Sequence, residues 1–136
     1  IGAGSAQLIC PDTRGVMIKN QDGQTILVGG EPRTVVAPAS GTTGTCLVYA
    51  IHNMVFFQAQ VTRVWDGTNS VCAIPSILAP DMQVALAVAH GSGGGENIMA
   101  VVRTTGAVET INRSGATDSL QITITGCWKD KRWAQN

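Results

Sequence analysis

The sequence predicts an all-β fold, an antiparallel β-sandwich or jelly-roll-like barrel of about nine or ten short strands. Val, Ile and Thr supply 39 of the 136 residues, against 3 Glu and 3 Lys, a bias towards pleated, half-buried strands and away from helices. Apolar and polar residues alternate with a period of two through several runs, so one face of each such strand is set to be buried. Glycine-rich turn signals punctuate these runs and no helical periodicity interrupts them, the syntax of antiparallel sheets that stack or close on themselves.

The elements follow in order. Gly15 to Val28 reads as a hairpin turning at Asp22-Gly23, where glycine supplies the positive φ of a tight turn. Arg33 to Ala37 forms a short edge strand between turn segments at Glu31-Pro32 and at 38–44. Thr45 to Ile51 and Val55 to Trp65 are strands, and in the second Val55, Phe57, Ala59 and Val61 share the buried face while Gln58, Gln60 and Thr62 share the other. Asp66-Gly67 turns the chain into Ser70 to Pro75 as a second hairpin, which Pro75 ends because it has no N–H to donate. Met82, Val84, Leu86 and Val88 alternate in the next strand, which runs into the glycine loop 90–97. Ile98 to Arg103 and Ala107 to Ile111 flank Thr104-Thr105-Gly106 as a third hairpin, and Leu120, Ile122 and Ile124 alternate in the last strand.

A chain of 136 residues suits a single β domain, 1–136, burying about two-thirds of its unfolded surface. Residues 1–6 are small and the chain opens on Ile1, which reads as a flexible link to a region upstream. Lys plus Arg and Asp plus Glu number 9 each, so no global field draws in nucleic acid or an anionic membrane. Polarity comes instead from 35 Ser, Thr, Asn and Gln residues, a neutral surface. The basic tail Lys129 to Trp133 reads as a solvated terminus. The longest aliphatic run, Val84 to Ala89, falls far short of the roughly 20 residues of a membrane helix.

Cys10, Cys46, Cys72 and Cys127 are even in number and lack the close CxxC spacing of a zinc or redox site. They predict two disulfides in an exported protein, with buried thiols as the alternative, and the three connectivities remain open. No catalytic residues, metal site or cofactor are expected. The two histidines, His52 and His90, have no nucleophile motif beside them, and the aspartates fall largely in turns. The loop Gly91 to Gly95 lacks the Lys-Ser/Thr ending of a phosphate cradle. Such a stretch adds nothing to a core but lets a ligand approach the backbone closely. The expected ligand-binding residues are therefore His90, Ser92, Glu96 and Asn97, with Trp65 offering an apolar face to a sugar ring.

The run Val61-Thr-Arg-Val-Trp-Asp-Gly67, followed by Val71-Cys-Ala-Ile-Pro75, Leu78-Ala-Pro80, Thr105-Gly-Ala-Val108 and Ile122-Thr-Ile-Thr-Gly-Cys-Trp128, resembles the C-terminal tip domains of bacteriophage tail fibres. It is also similar to the exchangeable C-terminal tips of conjugative type IV pilus adhesins, the PilV-type minor pilins. The resemblance covers residues 55 to 128, about half the chain, in strand order rather than in a diagnostic motif. It implies a non-catalytic adhesin or receptor-binding domain, extracellular at a pilus tip or virion surface. Its partners would be a cell-surface glycan or lipopolysaccharide, an upstream fibre or pilin region, and further copies of itself. The alternatives are a small secreted hydrolase acting on a glycan and a purely structural fibre subunit.

Overall fold

The computed structural model describes residues 7–12, 15–19, 21–22, 25–28, 34–90, 97–112 and 116–133. It is all-β, as the composition requires. β1 (Gln7–Asp12), β2 (Gly15–Lys19) and β3 (Thr25–Val28) form a three-stranded antiparallel sheet in that order. β2 and β3 are the expected first hairpin, with Gln21 and Asp22 in the turn, whereas Gly23 lies outside the described residues. β1 is an addition, paired with β2 through a register shift between Ile9 and Asp12. The link 1–6 also lies outside the described residues.

The remaining strands make an eight-stranded antiparallel sheet nearly closed into a barrel. They are β4 (Thr34–Val36), β5 (Thr43–Ile51), β6 (Met54–Val64), β7 (Thr68–Ala73), β8 (Val84–His90), β9 (Met99–Val102), β10 (Ala107–Ile111) and β11 (Ser119–Lys129). Their spatial order is β4-β5-β6-β11-β8-β9-β10-β7. The segment β8-β9-β10-β7 is a Greek key, three hairpin-linked strands with a fourth beside the last.

The alternation read from the sequence sets the wall of this barrel. Val55, Phe57, Ala59 and Val61 of β6 face inward beside Cys46, Val48 and Ala50 of β5 and Ile122, Ile124 and Trp128 of β11, all buried. Each large apolar side chain removed from water here contributes about 1.5–3 kcal/mol. β5 and β6 join through the two-residue turn His52-Asn53, in which His52 adopts φ 56°. That is the positive-φ geometry of tight hairpins.

Asp66-Gly67 is not the hairpin that its dipeptide suggests. Both edges of β6 are taken, by β5 and β11, so β7 pairs instead with β10. Gly67 keeps its positive φ of 67° in a crossing loop, where its carbonyl accepts from the Asn112 N–H at 2.8 Å. Met82 also falls outside its expected strand and is 78% exposed, since β8 starts at Val84. The tail is not simply solvated: Asp130 is fully buried and takes a bidentate pair from Arg132, Nη2 to Oδ2 at 2.7 Å and Nε to Oδ1 at 3.0 Å. A buried carboxylate stripped of that partner would be left uncompensated.

The barrel closes between β4 and β7. Pro38, just past β4, forms an isolated antiparallel bridge with Cys72, and the Ala39 N–H donates to the Val71 carbonyl at 2.8 Å. Thr42 Oγ1 and Arg63 Nη1 both donate to the Ser70 carbonyl, at 3.2 and 3.4 Å.

At Gly44 the β5 backbone lies close against β6. Its φ is +127°, and a Cβ there would stand 2.1 Å from the Gln60 carbonyl oxygen. Gly67 shares the positive φ but has nothing within 4 Å of such a Cβ. Gly67→Ala is therefore expected to cost about 1 kcal/mol from backbone conformation alone, and Gly44→Ala roughly 3 kcal/mol or more from conformation and overlap together. Chemical denaturation of the two variants checks the order, and equal losses would contradict the β5–β6 packing.

Candidate functional site

The barrel register sorts the loops onto two ends. Residues 37–42, 65–67, 97–98, 112 and 116–118 share one end with His90, since Thr43 pairs with Thr62, His90 with Ile122 and Val64 with Ser119. His90 at the end of β8 and Asn97 before β9 are both exposed there. Ser92 and Glu96 lie outside the described residues. Trp65 belongs to the same end, but it is fully buried. Its Nε1–H donates to the Leu120 carbonyl at 2.7 Å, and its own carbonyl accepts from Asn112 Nδ2. The indole expected to meet a sugar ring is a core side chain closing the barrel end. Trp128 is buried likewise, with Nε1–H on the Leu78 carbonyl at 2.7 Å.

The outer face of β5, β6 and β11 carries a feature that single-strand patterns do not reveal. Cross-strand pairing places Thr45, Gln60 and Thr123 in one row, Leu47, Gln58 and Thr125 in the next, and Thr43, Thr62 and Gln121 in a third. The first two rows line a shallow depression of about 400 Å³. Beyond Leu47 and Gln58 the following row holds Tyr49 and Phe56, stacked with ring centroids 5.4 Å apart and planes 15° from parallel. The three polar rows and the aromatic pair contain no charged side chain. Threonine hydroxyls and glutamine amides each both donate and accept hydrogen bonds, so the depression can match a neutral, hydroxyl-rich ligand without an ion pair.

His52 and His90 sit at opposite ends of the barrel, in the β5–β6 turn and opposite Ile122. Among the described residues no three His, Cys, Asp or Glu side chains gather where a metal ion could be held. Arg103 and Glu109 are tied to each other by a 3.0 Å ion pair.

The cysteines depart from the expected pairing. Cys46, Cys72 and Cys127 are free thiols, the first two buried and the third exposed, and the side chain of Cys10 is not described. Cys46 and Cys72 both lie in the buried core of the barrel. The neighbouring Cys72 thiol lowers the Cys46 thiol pKa against the opposing effect of burial, and the Cys46 thiol raises that of Cys72, with burial adding to the rise. No helix among the described residues is long and apolar enough to cross a membrane. Comparison with family models, with characterised proteins and with solved structures yields no match.

Because the indole N–H of Trp65 satisfies a carbonyl within the barrel, Trp65→Phe should lower stability by about 1–3 kcal/mol in thermal or chemical unfolding. Unchanged stability would point away from a packing role for this residue.

Proposed function

We propose that this chain is a non-catalytic recognition domain that holds a neutral glycan, such as the saccharide part of a lipopolysaccharide on a target cell, against the outer face of β5, β6 and β11. The observation that carries this reading is the uncharged depression lined by Thr45, Gln58, Gln60, Thr123 and Thr125 and bordered by the Tyr49–Phe56 pair. Its volume lies within the range of small-ligand sites. Its donors and acceptors sit on rigid strands, which lowers the ordering cost of binding. The strand-order resemblance to fibre and pilus tips supports the same task, with the domain presented extracellularly at the end of a fibre. Individual contacts of this kind are weak, so firm attachment to a cell draws on several copies engaging together.

The triple variant Gln58→Ala/Gln60→Ala/Thr123→Ala tests the reading, since all three side chains are exposed and outside the core. Binding to a glycan array, to purified lipopolysaccharide and to whole cells is expected to fall about tenfold or more, equivalent to about 1.4 kcal/mol. Circular dichroism and the melting temperature should stay unchanged. The companion variant His90→Ala/Asn97→Ala is expected to bind like the parent. The reverse pattern moves the site to the loop end, cleavage of the bound glycan establishes a hydrolase, and absence of any glycan binding overturns the proposal.

A further inference from the structure

Cys46 and Cys72 are 26 positions apart in sequence and stand on the two sides of the barrel seam. Cys46 lies on the inward face of β5, opposite Val36 of β4, and Cys72 lies on β7, bridged to Pro38 just beyond the same strand. A register shift in β7 explains why the Cys72 thiol faces the core next to the equally buried Val71. Val108 pairs with Cys72 and Glu109 with Ser70, so Val71 is the extra residue of a bulge, and Val71 and Cys72 are both buried, 0% and 2% exposed. The two side chains belong to one buried cluster behind the seam, where both are free thiols.

Cys127 is excluded from this pair by the wall of the barrel. It lies on β11 opposite Phe56, on the outer face, and is exposed, whereas Cys46 and Cys72 are inside. Any connectivity joining Cys127 to either of them would have to cross the sheet. Of the three ways of pairing four cysteines, two contain such a link.

We propose that Cys46 and Cys72 are an oxidisable pair whose disulfide stitches the β4–β7 seam shut when the protein folds in an oxidising compartment. The oxidant is a small disulfide such as glutathione disulfide. The Cys46 thiolate attacks one glutathione sulfur and expels a glutathione thiolate, leaving a mixed disulfide. The Cys72 thiol then loses its proton and attacks the Cys46 sulfur, expelling the second glutathione thiolate. One S–S bond is broken and one formed, two protein thiols are oxidised, and one glutathione disulfide is reduced to two thiols. Since both sulfurs are buried in the closed barrel, the exchange takes place before the seam closes or when it opens. The bond closes a loop that includes most of the β5–β6 hairpin, from Cys46 onward, which restricts the unfolded chain and opposes seam opening.

Refolding the full chain in a glutathione redox buffer, alkylating the remaining thiols and mapping tryptic peptides without reduction tests the assignment. Cleavage after Arg14, Arg33, Arg63, Arg103, Arg113 and Lys129 puts each of the four cysteines on a separate peptide. The expected product joins 34–63 to 64–103. Linkage of either peptide to 114–129 or 1–14, or recovery of both as alkylated thiols, overturns the proposal. In a Cys10→Ser/Cys127→Ser background the melting temperature should fall by roughly 10 °C on reduction. That response should disappear on adding either Cys46→Ala or Cys72→Ala. A melting temperature indifferent to reduction in the parent background overturns the stitch.

Discussion

Closure of the eight-stranded sheet runs through a seam with almost no ladder. Between β4 and β7 the pairing is the isolated bridge of Pro38 with Cys72. What remains is one backbone bond from Ala39 to Val71, reinforced by the Thr42 hydroxyl and the Arg63 guanidinium on the Ser70 carbonyl. Each such bond contributes about 1 kcal/mol net, so the seam alone is a weak fastening. The packing behind it is stronger: Val36, Cys46, Val71 and Cys72 belong to one buried cluster with Phe57 and Trp65. That cluster exists only if the sheet curls far enough for β4 and β7 to meet. The barrel is therefore closed from inside, by apolar contact, and sealed at the rim by a few polar bonds.

The bulge in β7 follows from the same constraint. An unbroken alternation would send either Val71 or Cys72 outward, but the extra residue turns both into the core. Local twist increases at a bulge, which helps carry β7 round towards β4. Arg63 is tied to this geometry as well. It ends an inward row of β6 but bonds Ser40, Thr42 and Ser70, so it lies across the loop that carries Gly41 and covers the barrel mouth.

Most of the strands other than β1, and which of their faces is buried, were legible in the sequence because both are local. The alternation through Val55 to Val61 and Leu120 to Ile124 survives as burial. Strand partners were not legible. Asp66-Gly67 has the chemistry of a hairpin turn and the φ of one, yet whether β6 has a free edge for β7 depends on β11, which arrives more than fifty residues later. The two buried indoles show the same limit. A tryptophan near a turn reads equally as ligand platform or as core, and the carbonyls that decide it, Leu120 for Trp65 and Leu78 for Trp128, are 55 and 50 positions away. The pairing of the cysteines was not legible for a related reason. Even count and wide spacing say nothing about which side of a sheet a thiol takes, and Cys127 sits one strand position from the inward Trp128 but on the opposite face.

The outer face illustrates how a neutral composition becomes a surface with a defined shape. Threonine and glutamine appear throughout the chain, and none marks a site by itself. Once β5, β6 and β11 pair, the residues between the inward Cys46, Ala59 and Ile124 and the inward Gly44, Val61 and Ile122 must fall into line as Thr45, Gln60 and Thr123. The same period that fills the core therefore draws the row outside it. β-branched threonine suits a strand, so the hydroxyls come at little expense to sheet stability. Leaving charge out of the rows has a physical consequence for recognition. Under the proposed function no long-range field would guide a ligand in, and specificity would rest on short-range matching of donors and acceptors to a rigid lattice. Binding to such a lattice would be insensitive to ionic strength, and its weak single contacts would gain strength from repetition along a polymer or across several copies of the domain.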